Sequence, residues 1–500
     1  MFYYNPIIPG FNPDPSICRV ENDYYLVTST CEFFPGVMLY HSKDLVNWET
    51  LGGILNSSQL VNLNKCACSA GIFAPTLRYH DGWFYLITTN VSDKGNFIIR
   101  SQDLKKWTDP VWIDPKGIDP SLFFDGDGKV YFVRNDVDDN MKQGIVLCEI
   151  NVITGEKLSE TKVISYGCGW KCPEGPHIYK HNGWYYLLLA EGGTEYGHMA
   201  TIQRSKNIFG PYEKYQDNPI LKNKDVMFDD VSCTGHADLF TDTEGNTWLV
   251  CLGVRKNGNR FMHHLGRETF LAPVEWHDDW PVVNGDGIIH IEMNAKGTGI
   301  QNRNYDFYDD FSKNNYSSEW TWIRNPYMDH YIRDTANKQL ILTGTNVILN
   351  DQDSPTWIGV RQKEFDITAS AIVQINNEST NSLSRAGMSV FYNKDYHYDI
   401  CISQHDGKSH ISLYKHVHDI YTETASVPFD NDSCKFVIRA DKDKYEFYYE
   451  TDQQLFYVGK GLTAGVSTEN TWQNSFTGTF ISLFAENCTC GFREFRLVNN

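Results

Sequence analysis

Residues 119–135 read DPSLFFDGDGKVYFVRN. An acidic, Pro-containing opening leads into a short apolar run. Asp-Gly pairs then supply a turn that tolerates positive φ, and a second run of Val, Tyr and Phe completes a hairpin. The same shape recurs as DPSICRVENDYYLVTS from Asp14, APTLRYHDGWFYLITT from Ala74, EGPHIYKHNGWYYLLLA from Glu174 and GHADLFTDTEGNTWLVCL from Gly235. Successive starts lie 60, 45, 55 and 61 residues apart, room each time for a four-stranded antiparallel sheet and its loops. Repetition at this period predicts a radial array, here a five-bladed β-propeller rather than a run of hairpins in a sandwich. Equivalent positions of a propeller converge on its axis. The residues that open the repeats, Asp14, Ala74, Asp119, Glu174 and His236, are therefore expected to ring one central pocket.

The chain changes character after WHDDWPVVNGDG at 276–287 and a polar stretch that ends near Asn304. From there, short alternating runs such as QLILTGT, AGMSVFYN, YHYDICIS and HISLYKHV are separated by polar turns. This pattern predicts a β-sandwich of about 190 residues. The expected organisation is all-β, with a propeller over 1–304 and a sandwich over 305–500.

Composition narrows the function. Of 500 residues, 41% are hydrophobic and 21% charged, enough apolar material for packed cores. A net charge of −19 repels phosphate backbones and argues against nucleic acid as a partner. Aromatics at 14% suit both strands and surfaces that stack on sugar rings. No apolar run is long enough to span a bilayer, so no membrane association is expected. The opening MFYYNPIIPGFNPDPS has no basic, apolar and small-residue pattern of a leader, and thirteen scattered cysteines suit a reducing compartment; a cytoplasmic location is expected. The pairs Cys66/Cys68, Cys168/Cys172 and Cys488/Cys490 lack zinc-site spacing and read as buried or incidental thiols. No Gly-rich loop opens a helix, so no organic cofactor is implied.

Glycosidic hydrolysis needs two carboxyl groups in different protonation states. Asp14 lies in NPDPS, Asp119 in GIDPSLFF and Glu174 in CPEGPHIY, each braced by proline. One acidic residue beside proline is a common turn device. Three at one phase of a repeat are not explained by turns.

These motifs, with GIFAPTLRYHDGWFYL, EGGTEYGH at 191–198 and LGRETFLAPVEW around Arg267, resemble those of glycoside hydrolase family 43, the β-xylosidase and α-L-arabinofuranosidase group. The part that opens at Asp309–Phe311 resembles the concanavalin-A-like sandwich that accompanies many of these xylosidases. The resemblance implies Asp14 as general base, Glu174 as general acid and Asp119 as a carboxylate that orients the acid and tunes its pKa. It implies inversion at the anomeric carbon, which needs carboxyls about 6.5–9.5 Å apart. It further implies substrate contacts from Arg267, His236, Phe34, Phe73 and Thr194, with Phe476 closing the pocket from a sandwich loop. Phe73 stands where several xylosidases carry Trp. Calcium is found near the matching His in some relatives, although a lone His236 is a poor calcium ligand; no cofactor is required and no metal ligand set is assigned.

The implied activity is release of xylose from non-reducing ends of β-1,4-xylooligosaccharides. The alternative is an α-L-arabinofuranosidase, or a dual enzyme, acting on arabinose-substituted oligosaccharides. A loop that closes one side of a shallow pocket leaves room for one or two sugars, and a homo-oligomer is compatible with the chain. A retaining fructosidase would carry Arg before the middle Asp, where this chain has Ile118. A carbohydrate-binding protein with a dead propeller would not need all three carboxylates.

Overall fold

The computed structural model describes residues 2–223, 230–257, 262–375, 383–405, 407–431, 433–472 and 475–500. Among these residues the only helical pieces are three 3-10 turns, Met328–His330, Thr463–Val466 and Thr468–Asn470. The repeats become five four-stranded antiparallel blades, whose innermost strands are Ser16–Val20, Thr76–His80, Ile118–Phe124, Glu174–His181 and Val231–Thr241. Each quoted segment forms the two inner strands of its blade. Hairpin glycines Gly82, Gly128, Gly183 and Gly245 have φ of 77°, 86°, 74° and 88°, the region their turns demand. Consecutive residues of the second strands, such as Leu86 and Ile87, Phe132 and Val133, or Leu187 and Leu188, are all fully buried. Each blade is covered on both faces by its neighbours, so these strands read as apolar runs rather than as alternation.

The first residues close the ring. Phe2–Tyr4 pairs with Glu292–Asn294, and the Asn5 side chain exchanges hydrogen bonds of 3.0 and 2.9 Å with the Leu271 backbone. Part of the polar stretch before Asn304 is thus built into the propeller.

The second half packs an eight-stranded antiparallel sheet face to face with seven strands of a second one. The second sheet does not stop at the sandwich. Its last sandwich strand, Thr321–Ile323, pairs with an eighth strand, Phe33–Phe34, from the link between the second and third strands of the first blade. Around that seam Phe11 and Phe33 join Ile323, Trp357, Phe391, Phe480 and Phe484 in one buried cluster. An apolar interface of this kind fixes the two halves together. The expectation about thiols holds: ten cysteines are buried, three are half-buried, and all thirteen are free.

Candidate active site

The five ring residues do meet. Asp14, Ala74, Asp119, Glu174 and His236 line a cavity of about 140 Å³ at the mouth of the axis, with Cys31, Phe73, Ile118, Thr194, His198, Arg267 and Phe476. The backbone is forced there to aim side chains inward. Asp14, Asp119 and His236 have φ of 54°, 54° and 46°, and Gly175 beside Glu174 has 53°. In three blades the strand register slips at these points, between Ile118 and Ser121, Glu174 and His177, and Gly235 and Asp238. A bulge re-aims a side chain, and each left-handed non-glycine residue costs on the order of 1–3 kcal/mol. Such strain persists only where surrounding packing overdetermines it. Two glycines make room for the histidines. A Cβ on Gly175 would lie 3.1 Å from the His236 ring, and one on Gly235 2.6 Å from the His198 ring.

The carboxylates have different surroundings. Asp14 accepts hydrogen bonds from Ser29 Oγ at 2.5 Å and Arg267 Nη1 at 3.1 Å, and His236 Nδ1 stands 3.6 Å away. Burial alone would raise its pKa, but Arg267, His236 and Ser29 together outweigh burial and hold it below the usual carboxylate range. Asp119 accepts only the Gly175 N–H, at 3.1 Å, among the hydrogen bonds of the described residues. Burial and then the Asp14 charge push its carboxyl up. Glu174, contacted by Gln143 Nε2 at 3.3 Å, is pushed up to about 7 by burial and then by Asp119. One carboxylate is therefore held ionised while the other two resist ionisation and titrate as a pair. Burial lowers the pKa of both His236 and His198, so both rings are neutral near pH 7; His198 Nδ1 lies 2.9 Å from the Cys233 carbonyl.

Asp119→Asn removes the charge beside Glu174. The alkaline limb of the kcat/KM profile, where Glu174 loses its proton, is expected to move to lower pH by about one unit. A pH series on the purified variant checks this. An alkaline limb that stays put would show that Asp119 does not tune Glu174.

Arg267 ties the site to both halves of the chain. Its Nη1 also donates to Thr194 Oγ1 at 3.2 Å, and its Nη2 to the Phe476 carbonyl at 3.4 Å. The Phe476 ring lies under its guanidinium at 5.3 Å and meets Phe73 edge-on at 6.1 Å. The Phe476 N–H donates to Ser69 Oγ at 2.9 Å, and the Ser69 N–H to the buried Glu32 carboxylate at 2.9 Å. The sandwich loop is thus fastened to the propeller on both sides of the residue that closes the pocket.

One expected contact fails. Phe34 is absent from the cavity lining, since its strand pairs with Thr321–Ile323 and its ring packs edge-on against Trp322 at 6.5 Å. Cys31, three residues earlier and at φ 50°, takes the wall position. His198 was also missed as a lining residue, although it closes the EGGTEYGH motif.

The layer below the ring is polar and closed. Asp238 is fully buried and accepts from Ser16 Oγ at 2.8 Å, Tyr179 Oη at 2.6 Å and Arg78 Nη1 and Nη2 at 2.8 and 3.1 Å. Arg78 Nη2 also reaches His177 Nδ1 at 3.0 Å. The positive charge at the axis is thus a guanidinium, and the carboxylate facing it is saturated. No group of three His, Cys, Asp or Glu suited to a metal occurs among the described residues. Asp238 therefore has no free oxygen to offer a hard cation such as calcium.

Comparison with known proteins gives three results. The model of Glycosyl hydrolases family 43 matches residues 3–281, and that of the beta xylosidase C-terminal concanavalin A-like domain matches 308–493. The non-reducing end alpha-L-arabinofuranosidase BoGH43B of Bacteroides ovatus is 38% identical over 97% of this chain and 91% of its own; the beta-xylosidase of Bacillus subtilis is 30% identical over 98% of each. The crystal structure of xylan beta-1,4-xylosidase from Bacillus halodurans superposes with a TM-score of 0.92 at 28% identity, over 99% of this chain and 100% of that one.

Proposed function

The chain belongs to glycoside hydrolase family 43, and from that premise we propose that it is an inverting exo-enzyme releasing single xylose units from the non-reducing ends of β-1,4-xylooligosaccharides. The observation that carries this reading is the contrast between Asp14 and Glu174 across one small cavity. Glu174 retains a proton to give to the departing oxygen. Asp14, kept ionised by Arg267, takes a proton from the attacking water. Asp119 and Glu174 titrate as a pair, so that once Asp119 is ionised Glu174 keeps its proton, and the Gly175 N–H bond to Asp119 fixes the turn that carries Glu174. A cavity of about 140 Å³ is small beside the 300–1,000 Å³ of pockets for larger ligands. With Phe73 and Phe476 at its wall, it suits one terminal sugar.

The second reading is α-L-arabinofuranosidase or dual activity, favoured by the name of the 38%-identical relative. Initial rates on xylobiose and on an arabinofuranosyl-substituted xylooligosaccharide separate the two. The xylosidase reading expects the higher kcat/KM on xylobiose. Release of arabinose with no xylose would overturn it in favour of the second reading.

A further inference from the structure

The small cavity opens into a second, larger one of about 580 Å³, set between the propeller and the sandwich. Glu174, Thr194, Arg267 and Phe476 line both. If Glu174 donates the leaving-group proton, it must touch the glycosidic oxygen. The sugar that is cleaved then lies on the side of Asp14, and the rest of the substrate on the side of the larger cleft. That direction follows from the position of the acid between the two spaces.

The cleft has fixed walls. On the propeller side the fully buried Glu191 accepts the backbone N–H groups of Cys168 at 2.9 Å and Trp170 at 3.2 Å, and Gly192 N–H donates to Lys171 O at 2.7 Å. These bonds hold the loop that runs into Glu174. On the sandwich side Glu469 accepts from Tyr196 Oη at 2.9 Å and from His263 N–H at 2.9 Å, so one carboxylate bridges both halves of the chain. Trp472 stands in this wall. Its backbone N–H donates to Tyr396 Oη at 3.1 Å and its ring meets His418 edge-on at 6.1 Å, yet the residue is 61% exposed. Of thirteen tryptophans only Trp170 and Trp472 are exposed, and Trp170 directly precedes Lys171 of the cleft lining. Large apolar rings left open beside a polar cleft match the faces of pyranose rings, which present C–H groups on the flat side and hydroxyls at the rim.

We propose that this interdomain cleft is an extended leaving-group site that binds at least two further sugar units of an oligosaccharide, with Trp472 as its stacking platform. The inference rests on the exo-glycosidase reading for its direction, and it goes beyond a site for one or two sugars. The enzyme would then favour longer oligosaccharides while still removing one unit at a time.

Two measurements test it. The first is kcat/KM for xylobiose and for xylotetraose. The ratio is expected to exceed one by about five- to tenfold, the size of one well-formed aromatic contact, and to fall toward one in Trp472→Ala, with Trp472→Phe between. The second is tryptophan emission of Glu174→Gln titrated with xylotriose. A blue shift is expected that Trp472→Phe lacks. Hydrolysis of xylobiose with a ratio near one in the native chain, or an unchanged ratio in Trp472→Ala, would overturn the inference and leave the exo reading intact. No hydrolysis of either sugar, with a Trp472-dependent shift still present, would overturn the xylosidase reading and leave the cleft assignment standing. Absence of both signals would overturn both.

Discussion

Glu174→Gln is expected to lower kcat on xylobiose by about 10²–10⁴-fold, roughly 2.7–5.4 kcal/mol of barrier, the usual contribution of a positioned general acid. Gln keeps the shape of the side chain and its approach to Gln143, so what is lost is the proton. The loss should depend on the leaving group. An aryl xyloside with an acidic nitrophenol departs without protonation, and on that substrate the variant should retain most of its activity. Steady-state kinetics on both substrates check this. Equal losses on both would mean that Glu174 is not the acid.

Asp14→Asn is expected to cost a similar factor, about 10²–10⁴-fold, on both substrates alike. Attack by water needs a base whatever departs. The substitution also leaves Arg267, 91% buried, without its carboxylate partner at 3.1 Å, so the folded state of the variant is confirmed by circular dichroism before kinetics. Selective rescue by the acidic leaving group would contradict the base assignment. The two variants together assign the roles: one loss depends on the leaving group and the other does not.

Much of this site was legible because the propeller turns a sequence period into spatial convergence. Asp14, Asp119, Glu174 and His236 stand at one phase of the repeat, and that phase is the axis. Arg78 and Asp238 stood in the same quoted segments, four and two residues past the ring. They pass for surface charges in a single segment, and only the superposition of blades puts them in one buried layer. Phe34 shows the opposite failure. Its side chain is turned by pairing with Thr321–Ile323, nearly three hundred residues away, and no local pattern carries that contact. The wide cleft beside Glu174 was hidden for the same reason, since its walls come from two halves of the chain. His198 could have been found, since it ends the EGGTEYGH motif that also holds Thr194.

The most direct test of the account is a proton NMR time course of xylobiose hydrolysis, read before mutarotation. α-Xylose is the expected first product, since water activated by Asp14 attacks the face opposite the leaving group. Initial release of β-xylose would contradict it, because it would require a covalent intermediate and make Asp14 a nucleophile rather than a base.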